Sequence, residues 1–166
     1  MRLVDSIIPE LEKEAETTKR VLERVPNEKL DWRPHPKSMS LGQLAQHVAV
    51  IPGGIAAILK TTEREVPDFA NPASATNASE LVPTLTRSVD EAKLILSGFD
   101  DAAMMASWKL TRNGKEIFSV PRIGVIRNIM LNHWYHHRGQ LSVYLRLLDV
   151  PVPSIYGPSA DENPFG

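Results

Sequence analysis

The sequence of 166 residues contains no cysteine. Disulfide bonds, thiolate metal ligands and a cysteine nucleophile are therefore excluded. Any metal ion bound by this chain must be held by nitrogen and oxygen atoms.

The chain also lacks an excess of charge of either sign. Its net charge is -1, with 19 basic and 20 acidic residues spread along the sequence. This distribution does not indicate a phosphate-binding face, so we do not expect nucleic acid as a partner.

The apolar run at the N-terminus is too short for a signal peptide and turns acidic at once. No stretch approaches the length and apolarity of a membrane span, and we expect a cytoplasmic protein without membrane contact.

The composition is ordinary for a globular protein, with 42% hydrophobic and 23% charged residues. A chain of this length can bury a substantial core without disulfides. We therefore expect one domain that spans residues 1–166.

Four segments place apolar residues at helical spacing, which predicts four helices. Asp5 or Ser6 is expected to cap the first. The second has the clearest start, because Ser40 and Gln43 form a capping box before an apolar run. The predicted limits are about residues 5–24, 40–59, 77–101 and 121–148. A polar loop over residues 61–76 joins the second helix to the third.

A different pattern fills residues 106–121, where Asn113-Gly114 lies between two short β-compatible runs. Asn-Gly is a strong hairpin signal, and folding about it places Leu110 opposite Ile117. A lone hairpin is marginally stable and must pack on the helices, as a connector or as a lid. Together these patterns predict an all-α fold, an antiparallel four-helix bundle with a small β-hairpin before the last helix.

Three histidines continue the inward-facing stripes: His47 on the second helix, and His133 and His137 on the fourth. Residues four apart share one helix face, so His133 and His137 can bind one metal ion. Three histidine ligands leave a coordination position open, as in catalytic zinc sites. Nickel, iron and copper also accept nitrogen ligands. The alternative is that these are core histidines bonded to carbonyl groups, and spacing alone leaves it open.

Residues near the histidines have weaker signals. His136 should turn away from the metal face, towards the edge of the site. Gln140 lies three residues after His137 and could support it, and Tyr144 could donate a hydrogen bond or pack. Arg138 is expected to be a surface arginine or to pair with the C-terminal tail. No residue is assigned as catalytic.

Pro52-Gly53-Gly54 follows His47 by about one turn. A proline inside a helix cannot donate to the carbonyl four residues earlier, here that of Val48. We expect a kink or a break just beyond His47. It is either an ordinary kink or a means of widening a cleft beside His47.

Several segments of the chain resemble the DinB-like superfamily of four-helix metalloproteins, which includes YfiT-like and mycothiol-dependent maleylpyruvate isomerase-type proteins. These segments, in chain order, are LDWRPHPKSMS at 30–40, LAQH at 44–47, HWYHHRGQ at 133–140, YLRLLDVPVP at 144–153 and YGP at 156–158. The sequence differs from the family at Pro52-Gly53-Gly54, where relatives continue a regular helix. It also has Asp149 where a glycine often follows the last helical turn.

The resemblance implies a divalent metal held by His47, His133 and His137, with zinc or nickel as the expected ion. It implies up-down-down-up connections and a homodimer. It further implies a transferase that uses a low-molecular-weight thiol, which suits a chain without cysteine.

These expectations describe a metal-dependent enzyme that activates a thiol or water towards a small electrophilic molecule. One alternative is a non-enzymatic, stress-associated dimer whose metal is structural. A second is a metal-dependent hydrolase, which would need a carboxylate base from elsewhere, such as Asp161 or Glu162. A third is a helical bundle with core histidines and no metal.

Overall fold

A computed structural model describes residues 1–68 and 70–166. The chain is mostly helical, as predicted, and carries a small sheet. The long helices are α1 (Ile7–Leu22), α2 (Leu41–Ile58) and α3 (Leu81–Ser97), followed by the short α4 (Asp101–Met105). The last helical segment consists of α5 (Arg122–Val125), a π-helical stretch (Ile126–Asn132) and α6 (His133–Leu147). The strands are β1 (Glu63–Glu65), β2 (Ser107–Arg112) and β3 (Lys115–Pro121), and 3-10 turns cover Leu3–Ser6, Asn27–Lys29 and Ala78–Glu80.

The capping box predicted at the start of α2 is present. Ser40 Oγ accepts from the Gln43 amide at 3.2 Å, and Gln43 Oε1 accepts from the Ser40 amide at 2.9 Å. The side chain of one residue thus satisfies a free amide group of the other. This fixes the first turn of the helix that carries His47.

Two predicted helix ends were wrong. Neither Asp5 nor Ser6 caps α1, because the chain is already helical from Leu3 in a 3-10 turn. The third helix ends at Ser97, and Asp100 begins α4 by accepting from the Ala103 amide at 2.7 Å. An aspartate that accepts a hydrogen bond from the first turn is a start signal, and it competes with the end that was predicted there.

The hairpin forms at Asn113-Gly114, and both residues have positive φ angles, 52° and 73°. This is the backbone of a type I′ turn, which matches the twist of the two strands. The expected pairing of Leu110 with Ile117 was wrong, because a bulge shifts the register and Leu110 pairs with Phe118. The bulge leaves Ile117 about half exposed.

The loop predicted over residues 61–76 contains a strand. β1 pairs in parallel with β2, so that the sheet has the order β1-β2-β3. Its Glu-Arg-Glu sequence has little intrinsic strand preference, and the pairing comes from contact with β2. Position 69 of this loop lies outside the described residues.

α2 is more apolar than was expected from the sequence. Its 18 residues have a mean hydropathy of 1.3, enough by length and composition to cross a membrane. This corrects the expectation that no stretch approaches a membrane span. However, 56% of the helix is buried inside the protein, against α3 and the last helical segment. Packing in the core accounts for its apolar character.

Pro52 lies inside α2 without breaking it, contrary to one of the two expectations for this position. Pro52 has no amide hydrogen to donate to the Val48 carbonyl. That carbonyl instead accepts a hydrogen bond of 2.9 Å from the indole Nε1 of Trp134 on α6. Both residues are fully buried. A side chain from another helix therefore replaces the hydrogen bond that proline removes.

Gly53 allows α3 to approach α2 closely. A Cβ atom at this position would lie 2.8 Å from the Ser88 carbonyl oxygen, and the Gly53 amide donates to Ser88 Oγ at 2.8 Å. The motif Pro52-Gly53 thus directs one face of α2 to α6 and another to α3.

Arg138 is buried, which corrects the expectation of a surface residue, although its pairing with the tail is present. Its guanidinium forms an ion pair with Glu14 of α1 at 2.6 Å. It also donates to Thr18 Oγ1 at 3.2 Å and to the Tyr156 hydroxyl at 2.5 Å. One side chain of α6 therefore binds α1 and the C-terminal tail together.

Asp149 follows the last turn of α6 with a φ of 58°. This is the left-handed region in which glycine is favoured and in which aspartate is tolerated better than most residues. The family difference noted at this position therefore preserves the backbone conformation of a helix end.

Trp134→Phe should lower the free energy of unfolding by about 1–3 kcal/mol beyond any packing loss, because it leaves a buried carbonyl unpaired. Pro52→Ala returns an amide donor to that carbonyl. The cost of Trp134→Phe should therefore be smaller in the Pro52→Ala background, as measured by denaturant unfolding of the four proteins in this cycle. Equal costs in both backgrounds would show that the indole does not compensate for the proline.

Arg138→Leu should destabilise the protein by about 3–5 kcal/mol, because the Glu14 carboxylate loses its buried partner. Arg146→Leu is the matched control on the same helix, since its pair with Asp161 is exposed. That control should cost less than about 1 kcal/mol. Similar losses in thermal or denaturant unfolding for the two variants would contradict this interpretation.

Candidate metal centre

The three inward-facing histidines come together where α2 meets α6. His47 precedes Val48, and His133 precedes Trp134, so the hydrogen bond between Val48 and Trp134 lies directly beside the site. His137 follows one turn later on α6, where the helix is regular. All three side chains are partly buried.

The geometry suits one small metal ion. One potential ligand atom from each histidine lies within 4.8 Å of the others, and Nε2 of His47 is 3.1 Å from Nε2 of His133. Two nitrogens bound to tetrahedral zinc at about 2.0–2.1 Å lie about 3.4 Å apart. The three ring planes are nearly perpendicular in pairs, at 81–90°. The nitrogens thus converge from three directions and suggest a metal site.

The three imidazoles are neutral at neutral pH, which is the form that binds metals. Burial lowers the pKa of His47 and of His133 to about 4, and repulsion from the neighbouring histidines adds to the effect. Burial also lowers the pKa of His137, although its hydrogen bond to Gln140 acts in the opposite direction. Protons therefore do not compete for the ligand nitrogens at pH 7.

Gln140 fixes the tautomer of His137. Its Oε1 lies 2.7 Å from Nδ1 of His137. An amide oxygen only accepts, so Nδ1 must carry the proton and Nε2 keeps its lone pair. Histidine ligands in metal sites usually have such a partner, which also fixes the orientation of the ring.

The other two residues expected near the site, His136 and Tyr144, do not support the histidine ligands as Gln140 does. His136 is exposed, with its ring 5.0 Å from that of His137. Tyr144 donates to the Met39 carbonyl at 3.3 Å and contacts Trp32 edge to face at 5.6 Å. Tyr144 thus packs the connector before α2 onto α6 and does not contact the histidines.

A cavity of about 350 Å³ opens beside His47 and His133. It lies between α2, the π-helical stretch and one face of the sheet. Most of the described residues that line it are apolar. These described residues are His47, Gly54, Ile55, Ile58, Arg64, Val66, Pro67, Trp108, Leu110, Ile129 and His133. The hairpin and β1 therefore form a wall of this cavity.

Three features that shape the site were not predicted from the sequence: the π-helical stretch, Arg64 and the hydrogen bond of Trp134. The π-helical stretch ends directly before His133, and such stretches often occur at functional sites. Arg64 was assigned to a loop, and Trp134 carried no signal beyond its apolar character. The proline at position 52 was a usable sign that Val48 needed another donor, but not of where that donor lay.

The acids suggested as hydrolytic bases are engaged away from the site. Asp161 pairs with Arg146 and accepts from the Val152 amide at 2.8 Å. Glu162 pairs with Arg20 and accepts from the Ser154 amide at 2.7 Å. Neither residue lines the cavity. Both acids hold the C-terminal tail in place.

Comparison with known proteins identifies the family. The sequence profile of the DinB family matches residues 3–163, almost the whole chain. The chain belongs to the DinB family. This confirms the resemblance stated from the sequence motifs.

Individual relatives agree with this assignment. The chain is 26% identical over 162 residues to the uncharacterized protein YrdA of Bacillus subtilis, covering 96% of this chain and 91% of YrdA. A DinB-like protein from Bacillus cereus superposes with a TM-score of 0.65 at 23% identity, over 86% of this chain and 91% of that one. The DinB-like protein YjoA from Bacillus subtilis gives a TM-score of 0.65 at 17% identity, over 87% and 92%. These two structures establish a DinB-like fold.

Gln140→Leu should weaken zinc binding by about tenfold or more, because His137 loses the partner that fixes its tautomer and orientation. Tyr144→Phe removes one polar group from the same helix without touching a histidine and should leave the zinc Kd unchanged. Competition titration with a chromogenic chelator measures both. Equal zinc affinities for Gln140→Leu and the parent would contradict the role assigned to Gln140.

Proposed function

We propose that this protein is a metal-dependent enzyme of the DinB family, in which His47, His133 and His137 hold one zinc or nickel ion. The convergence of three neutral imidazoles carries the proposal, because two of them, His47 and His133, also line an apolar cavity. A hydrogen bond between His47 and His133 would satisfy only one nitrogen of each ring. A metal ion would use a lone pair from all three.

The donor set favours a catalytic site over a structural one. Structural zinc sites have four protein ligands, whereas catalytic sites have three and keep a position for water or substrate. Among the described residues, the histidine group includes no carboxylate as a fourth ligand. When bound, the ion would lower the pKa of a thiol or water in the open position.

We propose transfer of a low-molecular-weight thiol to a small electrophilic molecule as the reaction. The chain has no cysteine, so the thiol would come from a cofactor. The sulfur would form a bond to an electrophilic carbon, the leaving group would depart with its electron pair, and the thiol proton would pass to solvent. The apolar walls would exclude water from this step, while Gln140 holds His137 in its ligating tautomer.

The hydrolase alternative is weaker, because Asp161 and Glu162 are both bound to the tail. The alternative of a non-enzymatic dimer with a structural metal makes a different prediction for metal removal. A structural ion supplies folding free energy, so chelation should lower Tm strongly. A catalytic ion with an open position should contribute much less folding free energy, so chelation should lower Tm only slightly.

The proposal extends to the setting of the enzyme. We propose a four-helix bundle with up-down-down-up connections, formed by one domain over residues 1–166, in a cytoplasmic homodimer that acts on a small molecule. The DinB-like fold supports the helix arrangement.

Elemental analysis of the purified, untagged protein should give about one zinc or nickel per chain. His137→Ala should lose this metal because it removes one of three ligands. His136→Ala is the matched control, since it deletes the adjacent exposed imidazole and should retain the metal. A metal-free parent after reconstitution with either ion would refute the proposal, as would equal loss in both variants.

A further inference from the structure

We propose that Arg64 binds a carboxylate of the ligand, so that the cavity accepts small molecules with an apolar body and a carboxylate end. This inference rests on the proposed function, because it specifies the substrate class of the same site. It depends on where β1 places the arginine side chain.

The sheet presents Arg64 on its cavity-facing side. Directly paired residues of neighbouring strands point to the same side, and alternate residues to opposite sides. Arg64 pairs with Leu110, and Leu110 and Trp108, two residues apart, both line the cavity. Glu63 and Glu65 therefore face away from the cavity, and Arg64 lines it together with Leu110 and Trp108.

Arg64 is an exposed residue, and its guanidinium forms no ion pair with either of the flanking acids, Glu63 and Glu65. Glu65, one of these two acids, accepts from Thr111 Oγ1 at 2.7 Å and from the Asn113 amide. Within the described part of the chain, the Arg64 side chain makes no ion pair or hydrogen bond, and no carboxylate lines the cavity. A guanidinium offers five N–H donors in a planar arrangement that matches a carboxylate.

The rest of the cavity offers few other polar contacts. The Trp108 indole N–H is already used, since it donates to the Ile58 carbonyl at 3.2 Å. The polar side-chain groups that remain, among the described lining residues, are the histidine nitrogens and the Arg64 guanidinium. A ligand that satisfies both needs a reacting group for the histidine site, an apolar middle and an anionic end.

Paired probes test this specificity in the protein without metal. After chelator treatment, octanoate should bind about tenfold more tightly than octanol, because charge-assisted hydrogen bonds contribute more than neutral ones. Octylamine should bind more weakly than octanol. Isothermal titration calorimetry measures the dissociation constants of octanoate, octanol and octylamine. Equal binding of octanoate and octanol, or no octanoate binding, would overturn the proposal.

Charge-matched variants locate the effect. Arg64→Gln should remove the preference for octanoate, and Arg64→Lys should retain part of it as a point charge without the planar donors. Lys109→Gln removes one positive charge from the side of β2 that faces away from the cavity, and it should keep the full preference. A preference that survives in Arg64→Gln, or that is lost equally in Lys109→Gln, would refute the assignment.

Measurements of metal content separate this inference from the proposed metal site. Metal content is measured for the parent and for Arg64→Gln, and both should hold the same amount. Normal metal content without carboxylate preference would overturn only the Arg64 assignment. Carboxylate preference in a protein that takes up no metal would support Arg64 and refute the proposed function.

The carboxylate could belong to the electrophilic substrate or to the thiol. In the metal-loaded protein, octanoate is titrated with and without saturating ethanethiol. Unchanged octanoate binding assigns the carboxylate to the electrophile, and competition assigns it to the thiol molecule. Both results support an anion site at Arg64, provided that Arg64→Gln weakens octanoate binding in the same titration.

Discussion

The hydrogen bond from the Trp134 indole to the Val48 carbonyl connects the two helices that build the site. Pro52 creates the need for it, because proline has no amide hydrogen to give to the carbonyl four residues earlier. A buried carbonyl without a partner costs free energy, so the structure in which Trp134 reaches Val48 is favoured over others. His47 and His133 are the neighbours in sequence of these two residues, and the same contact brings their rings together.

A second buried polar contact sets the position of α6 from its other side. Arg138 binds Glu14 of α1 and Tyr156 of the tail, and its guanidinium is about 5 Å from the rings of Tyr135 and Tyr156. A buried ion pair is weak evidence for net stability, but it tolerates few alternative arrangements. Near the start of α6, Trp134 thus points to α2, Arg138 to α1, and His133 to the cavity.

The sheet has a functional place in this arrangement. Its hairpin was interpreted as a connector or a lid, and it forms a wall of the cavity with β1. β1 pairs with β2, and the position of Arg64 follows from its pairing with Leu110. On its other edge β2 pairs with β3, and the bulge between Leu110 and Thr111 lies in that second pairing. The part of the chain with the least helical character therefore forms one wall of the cavity.

The sequence by itself determined the features that depend on residues a few positions apart. These are the capping box at Ser40 and Gln43, the turn at Asn113-Gly114, the mostly helical character and the shared face of His133 and His137. Tertiary structure decided what depends on distant segments: the approach of His47, the donor for Val48, the burial of Arg138, the strand at Arg64 and the bulge after Leu110. The physical reason is the distance along the sequence between the groups that interact. Periodicity, caps and turns are settled by hydrogen bonds between near neighbours, whereas an unpaired carbonyl, a buried charge or a short polar strand is satisfied by whichever segment the folded chain brings beside it.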